Sequence, residues 1–222
     1  MNRRTALAGA GVVGLSTLSG CLGLVDRFLE HEASPVTVPE AVRSQTGYGR
    51  TAVEPMTVEE SGGVGPLSAT VRVTNYLTEH EKAVEVGPIG RARAAVFVAL
   101  STPAVSIGGR TLNPVERMNT RELVGLVQDN YDDLDVDGVA VEEAVTILGQ
   151  STTQARYDGR ANFNGVPLDV SLHVSEAVEA GDDLVVTIGV YPAQLRSREE
   201  SHVVSMMEAV ERAAADEFDD EE

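Results

Sequence analysis

Residues 153–174 constrain the fold of this chain more than any other stretch. Thr153, Ala155, Tyr157, Ala161 and Phe163 alternate with Gln154, Arg156, Asp158, Arg160 and Asn162, which is the period of a strand with one buried face. Asn164-Gly165 supplies the two positive-φ residues of a tight turn. Val166, Leu168, Val170, Leu172 and Val174 then alternate with polar residues on the return. A chain that carries this hairpin has to build a sheet around it.

The remaining periodicities extend that sheet. Residues 184–191 are apolar on both faces except at Thr187, the pattern of a central strand, and Pro192 stops it. Ala69, Val71 and Val73 alternate with Thr70, Arg72 and Thr74, and residues 92–100 read as another buried strand. Residues 139–148 read as a further strand, although Glu142-Glu143-Ala144 also tolerates helix. Asn119 and Glu122 form a capping box ahead of Leu123, Leu126, Val127 and Tyr131, which share one helical face. Ser197 and Glu200 predict a second box before Val203, Met206, Met207, Val210 and Ala214, and methionine on such a face fills core. A shorter helix is predicted over 39–45. The fold class is therefore α+β: a mostly antiparallel β-sheet with helices packed on its faces, one domain over residues 35–215. With no tryptophan, its core is built from valine, leucine and alanine.

The N-terminal segment reads as an export signal. Residues 1–20 hold Arg3 and Arg4, a short apolar stretch from 6 to 18 with three glycines, and then small residues. Paired arginines before a weakly apolar core fit twin-arginine export. Leu18-Ser19-Gly20-Cys21 has the form of a lipobox, which makes Cys21 the lipidated first residue of the mature chain; the competing reading is a buried structural thiol. Cys21 is the only cysteine, so no intrachain disulfide forms. Residues 21–34 read as a lipidated tether, in which Leu22, Leu24, Val25, Phe28 and Leu29 either lie against the bilayer or begin a flexible linker. Residues 216–222 read as a disordered acidic tail.

Charge narrows the partners. Removing Arg3 and Arg4 with residues 1–20 takes the formal charge from −18 to −20, a surface that repels nucleic acid. Lys82 is the sole lysine among 17 basic residues. Scattered carboxylates with almost no lysine suit a protein kept soluble in concentrated salt, where repulsion is screened within a few ångströms. Together the twin arginines, L-S-G-C, the glycine-rich core and the acid-rich, lysine-poor mature chain resemble a haloarchaeal surface lipoprotein. The downstream order of elements resembles a lipoprotein family of those archaea that carries a domain of unknown function, which implies a location and no activity. The sequence of helix, long antiparallel strands and closing helix is similar to the PsbP-type fold of lumenal and lipid-anchored accessory proteins.

Chemistry is sparse. Asp133, Asp135 and Asp137 with Gly138 reproduce the first half of a calcium loop, but position twelve is Ala144 where a bidentate glutamate belongs. The competing reading is an acidic helix-to-strand connection. His31, His80, His173 and His202 lack the paired spacing of a zinc site, and each reads as a solvated or singly hydrogen-bonded imidazole, with His173 on the polar face of its strand. No nucleophile elbow, phosphate loop or dinucleotide fingerprint occurs. The expectation is a non-enzymatic, lipid-anchored binding or accessory protein on the extracellular face of a halophile's cell membrane, with a membrane or cell-surface protein as partner. It has no cofactor apart from calcium as the candidate metal. The alternative is a solute- or metal-binding receptor lipoprotein.

Overall fold

The computed structural model describes residues 27–64, 67–87, 90–107, 110–111, 113–130, 134–163 and 166–213. Six long strands form the body of the sheet: β4 (Leu67–Val86), β5 (Gly90–Pro103), β12 (Asp183–Pro192), β10 (Val166–Ser175), β9 (Gln150–Phe163) and β8 (Leu134–Ile147), hydrogen-bonded in that order and antiparallel throughout. The expected hairpin is β9–β10, with Phe163 opposite Val166 across a two-residue connection; Asn164 and Gly165 themselves lie outside the described residues. The apolar run is central, as its two-sided pattern requires: β12 sits between β5 and β10.

Three further strands, one long and two short, complete the nine. β3 (Gly49–Val64) lies along one edge of β4, and β11 (Val178–Ala180) pairs β12 where β10 has ended. β1 (Arg27–Glu32) runs parallel to β4 over residues 69–74, beyond the reach of β5. Six of the residues read as a tether are thus in a strand. β3 was not legible because Pro55, Gly62 and Gly63 oppose a strand reading; its position on the edge tolerates a residue that cannot donate to a ladder. Two small pairs, β2 (Val36–Thr37) with β13 (Glu211–Arg212) and β6 (Ser106–Ile107) with β7 (Arg110–Thr111), lie outside the main sheet.

Helices cover both faces. α2 (Thr120–Asn130) has the predicted box: the Asn119 N–H donates to Glu122 Oε2 at 2.9 Å and the Glu122 N–H to Asn119 Oδ1 at 3.0 Å. Leu123 and Val124 pack on Ala155, Tyr157, Leu172, Val174 and Val186, while Leu126, predicted to join them, is exposed. On the opposite face α1 (Glu40–Thr46) and α3 (Arg196–Glu208) pack with Phe97, Tyr191, Val203, Met206 and Met207. The Ser197–Glu200 box does not form, since α3 follows directly from a 3₁₀ turn over Ala193–Leu195 and Ser197 already lies inside the helix. Gly189 lets α3 approach closely: a Cβ there would stand 2.5 Å from Val203 Cγ1.

The hairpin's polar face departs from expectation. Gln154, Arg156, Ser171, His173 and Ser175 are all buried, although their alternation with apolar residues reads as a solvated face. α3 covers that face, and hydrogen bonds replace the lost water.

Candidate functional site

The first turn of α3 carries Glu199, fully buried, onto Lys82 of β4. Lys82 Nζ donates to Glu199 Oε1 and Oε2, each at 2.8 Å, and lies 2.9 Å from His202 Nδ1. An ammonium has three N–H bonds, and here three acceptors receive them. With Lys82 as donor, Nδ1 presents its lone pair and the imidazole proton sits on Nε2. Nδ1 also lies 3.3 Å from Glu199 Oε2, but the shorter contact sets the tautomer. Arg198 Nε adds a bond to Glu199 Oε1 at 2.8 Å. Burial pushes the Glu199 carboxyl upward in pKa, yet the hydrogen bonds from Lys82 and Arg198 outweigh it and hold the group below its ordinary value.

Tyr48 lies beside this pair. Lys82 Nζ is 5.4 Å from the centre of its ring, within cation–π range. Burial, followed by the Glu199 charge, drives the phenol pKa far above its usual value, so Tyr48 stays neutral. The preference for lysine follows from this geometry. A planar guanidinium directs its donors into a fixed fork, whereas the three converging acceptors call for a compact, rotatable point charge.

Above the pair, α1 and α3 enclose an open groove of about 400 Å³ lined by Val42, Gln45, Thr46, His202, Ser205 and Glu208. Gly47, with φ of 80°, ends α1 in the left-handed region and turns the chain over the lysine stem; a Cβ there would lie 3.3 Å from Lys82 Cε. The Thr46 hydroxyl donates to the Val42 carbonyl and lies 3.4 Å from the Met206 sulfur, which ties the groove floor to the core.

A second polar network lies under α3. His173 Nδ1 is 3.0 Å from Gln154 Oε1 and Nε2 is 2.9 Å from the Tyr191 hydroxyl, so Nδ1 donates and Nε2 accepts. Beside it, Arg196 bonds Ser171 Oγ and Asp158, and Arg156 pairs with Asp158 and Glu200. Burial, helped by the Arg156 and Arg196 charges, lowers the His173 pKa to about 4, and burial lowers that of His80 to about 4 as well. His173 thus has two hydrogen-bond partners where the sequence reading is a solvated or singly bonded ring, and of those two alternatives His80 is not the solvated one. His80 packs against Phe97 at 5.8 Å between ring centres. A second depression, of about 500 Å³, lies among β1, β3 and β4, where Arg72 bridges Glu30 and Glu59 beside His31.

The residues singled out from the sequence lie elsewhere. Cys21, Arg3, Arg4, Leu18, Ser19, Gly20 and Asp133 are outside the described residues. Asp135 and Asp137 sit exposed on β8, an extended strand with register shifts between residues 136 and 141. Their extended backbone differs from the curled loop that the calcium reading expects. No group of three or more His, Cys, Asp or Glu suited to a metal occurs among the described residues. Sequence reasoning missed the Lys82–Glu199–His202 cluster, although its one signal was in view: a single lysine in a chain that otherwise uses arginine.

Residues 35–211 match the family described as DUF6517, a domain of unknown function. The chain belongs to that family. No curated protein matches it. Among solved structures, the chain is similar to cyanobacterial PsbP (CyanoP) from Synechocystis sp. PCC 6803, with a TM-score of 0.38 and 13% identity over 93% of this chain and 99% of that one.

Two outcomes follow for this DUF6517 domain. Lys82→Met leaves Glu199 charged and buried without its main partner, and should cost about 3 kcal/mol in chemical denaturation. Lys82→Arg should also destabilise, while Lys82→Met with Glu199→Leu should recover most of the loss; equal stability of the single and double variants would contradict the pairing. The second outcome concerns pH. The unfolded chain takes up histidine protons near pH 6.5, the folded chain near 4 at His80 and His173. Between those values the unfolded state holds more protons, so stability falls as pH falls. The denaturation midpoint should decline from about pH 6.5 to 5, above the range of ordinary carboxylates. His173→Gln should flatten the slope, and an unchanged slope would count against the buried neutral ring.

Proposed function

We propose that the chain is a lipid-anchored extracellular binding or accessory protein of a halophilic archaeon, held to the membrane through Cys21, and that it works by contact and not by catalysis. The observation that carries this reading is the saturation of the ionisable cluster at the groove. Lys82 spends all three of its donors, Glu199 accepts from Lys82 and Arg198, and Tyr48 is kept neutral. A nucleophile or general base needs a free lone pair or a labile proton at the substrate, and Lys82 and Glu199 give theirs to one another and to His202 and Arg198. What they hold in place is a surface, the α1–α3 groove. The L-S-G-C sequence supports the anchor, and the acid-rich, lysine-poor composition supports the saline setting. Tethering raises the effective concentration of that groove beside a membrane or cell-surface partner.

One observation favours a second reading, that of a receptor for a solute or metal: the groove volume of about 400 Å³ suits a small molecule, and Gln45, Thr46, His202, Ser205 and Glu208 offer polar contacts around it. Purification from native membranes at high salt separates the two. The accessory reading expects a protein that co-purifies with the wild type and is lost both on Cys21→Ser and on blocking the groove with Gln45→Trp. A bound small solute in place of that protein would support the receptor. The same companions in all three samples would contradict both.

A further inference from the structure

Residues 94–100 of β5 are apolar without a break, a pattern that belongs to strands covered on both faces. One face of β5 is fully covered: Ala95, Phe97 and Ala99 lie in the core beneath α1 and α3 with no exposed surface. On the other face Val96, Val98 and Leu100 are only half-buried, and neither of the two cores formed by the described residues includes them. The register sets Leu77 of β4 beside Leu100, and Ile188 and Val190 of β12 beside Val98 and Val96. Beyond β4, Met56 and Val58 of β3 continue the same face, 45% and 41% exposed. α2 packs chiefly over β8, β9 and β10, so it covers only the far half of this face.

Carboxylates flank the open half. Glu54 is opposite Leu77 and Glu79 opposite Val98, so both project on the apolar side, and Glu81 follows opposite Val96. Arg93 pairs with Glu81 at 3.0 Å, but among the described residues no cation or donor is bound to the Glu54 or Glu79 carboxylate. Burial, and then the charges of Glu81 and Glu54, raise the Glu79 pKa above its ordinary value. This half of the face therefore lacks both an apolar cover and a positive charge. Its dimensions match one helix. β12 to β4 is two strand spacings, about 10 Å, which is the width of a helix. Along β4 the patch runs from Glu81, opposite Val96, to Val73, opposite Val58, a length of about 27 Å or roughly five helical turns.

We propose that the open half of the β3–β4–β5–β12 face receives a basic amphipathic helix of a partner protein, with its apolar stripe on Leu77, Val98, Leu100 and Ile188 and its cationic side chains on Glu54 and Glu79. Such a helix continues the layer that α2 begins and gives β5 its second cover. Other occupants lack the matching charge. A second copy brings its own Glu54, Glu79 and Glu81, and however it is turned these meet like charges or aliphatic side chains. An anionic bilayer is repelled by the same carboxylates. The surface lies on the opposite side of the sheet from the α1–α3 groove and depends neither on that groove nor on Cys21.

The probe is a fluorescent synthetic helix of about 18 residues, roughly five turns, with leucines along one face and arginines along its flank; its control carries glutamate at each arginine position. Anisotropy is measured on the full-length protein in molar salt, where the general attraction of a cation to an acidic chain is screened within about 3 Å and direct contacts remain. The arginine helix should bind and the glutamate helix should not. Val98→Lys should weaken binding at least tenfold, and Glu54→Gln with Glu79→Gln several-fold. The same loss of charge on β8, Glu142→Gln with Glu143→Gln, should leave it unchanged. Val58→Lys, on the exposed edge strand, repeats the apolar test should Val98→Lys fail to fold. No binding of the arginine helix at millimolar concentration, equal binding of both helices, or full binding by the lysine variants would overturn the site. A protein that sediments as a dimer without the helix, and as a monomer with Val98→Lys or Val58→Lys, would assign the face to a second copy and overturn the partner helix.

Discussion

The seating of α3 depends on the ion pair between Lys82 and Glu199. Burying two opposite charges is favourable only when geometry satisfies every donor and acceptor, because desolvation of each ion is large. Here the ammonium has three partners, the carboxylate has two basic neighbours, and an aromatic ring lies beside the cation. With Glu199 satisfied at the start of the helix, Val203, Met206 and Met207 can follow it into the core. The groove is a consequence: α1 meets α3 through Thr46 and Met206, and the lysine stem lies under the turn at Gly47.

The same helix explains why the sheet is covered on both sides. The apolar face of the β9–β10 hairpin takes α2, and the polar face takes α3 through His173, Gln154, Tyr191, Arg196 and Asp158. A polar layer of this kind is costly when any member lacks a partner and specifying when all are paired. It fixes the helix over a particular stretch of sheet, which an apolar interface alone does less strictly.

Local signals were legible in the sequence and distant ones were not. The β9–β10 hairpin, the central strand β12 and the Asn119–Glu122 box depend on neighbours a few residues apart, and the structure has them. The α+β class followed from those elements. β3 was hidden because its Pro55 and glycines are tolerated only on an edge, a property that depends on the strand beside it. Polar alternation in the hairpin was taken for solvent exposure, because nothing in residues 153–174 reveals that a helix twenty residues later returns to cover them. The Lys82–Glu199 pair spans 117 positions, beyond any periodicity, and only the rarity of lysine pointed to it. Asp135 and Asp137 show the converse case: spacing that reads as a loop lies on an extended strand.

Native-state hydrogen exchange on wild type and Glu199→Gln tests the central claim most directly, because it reads each element separately. If the buried pair seats α3, amides of α3 and α1 should lose protection by a large factor in the variant while those of β10 and β12 keep most of theirs. Equal loss across helices and sheet, or no change in α3, would contradict it.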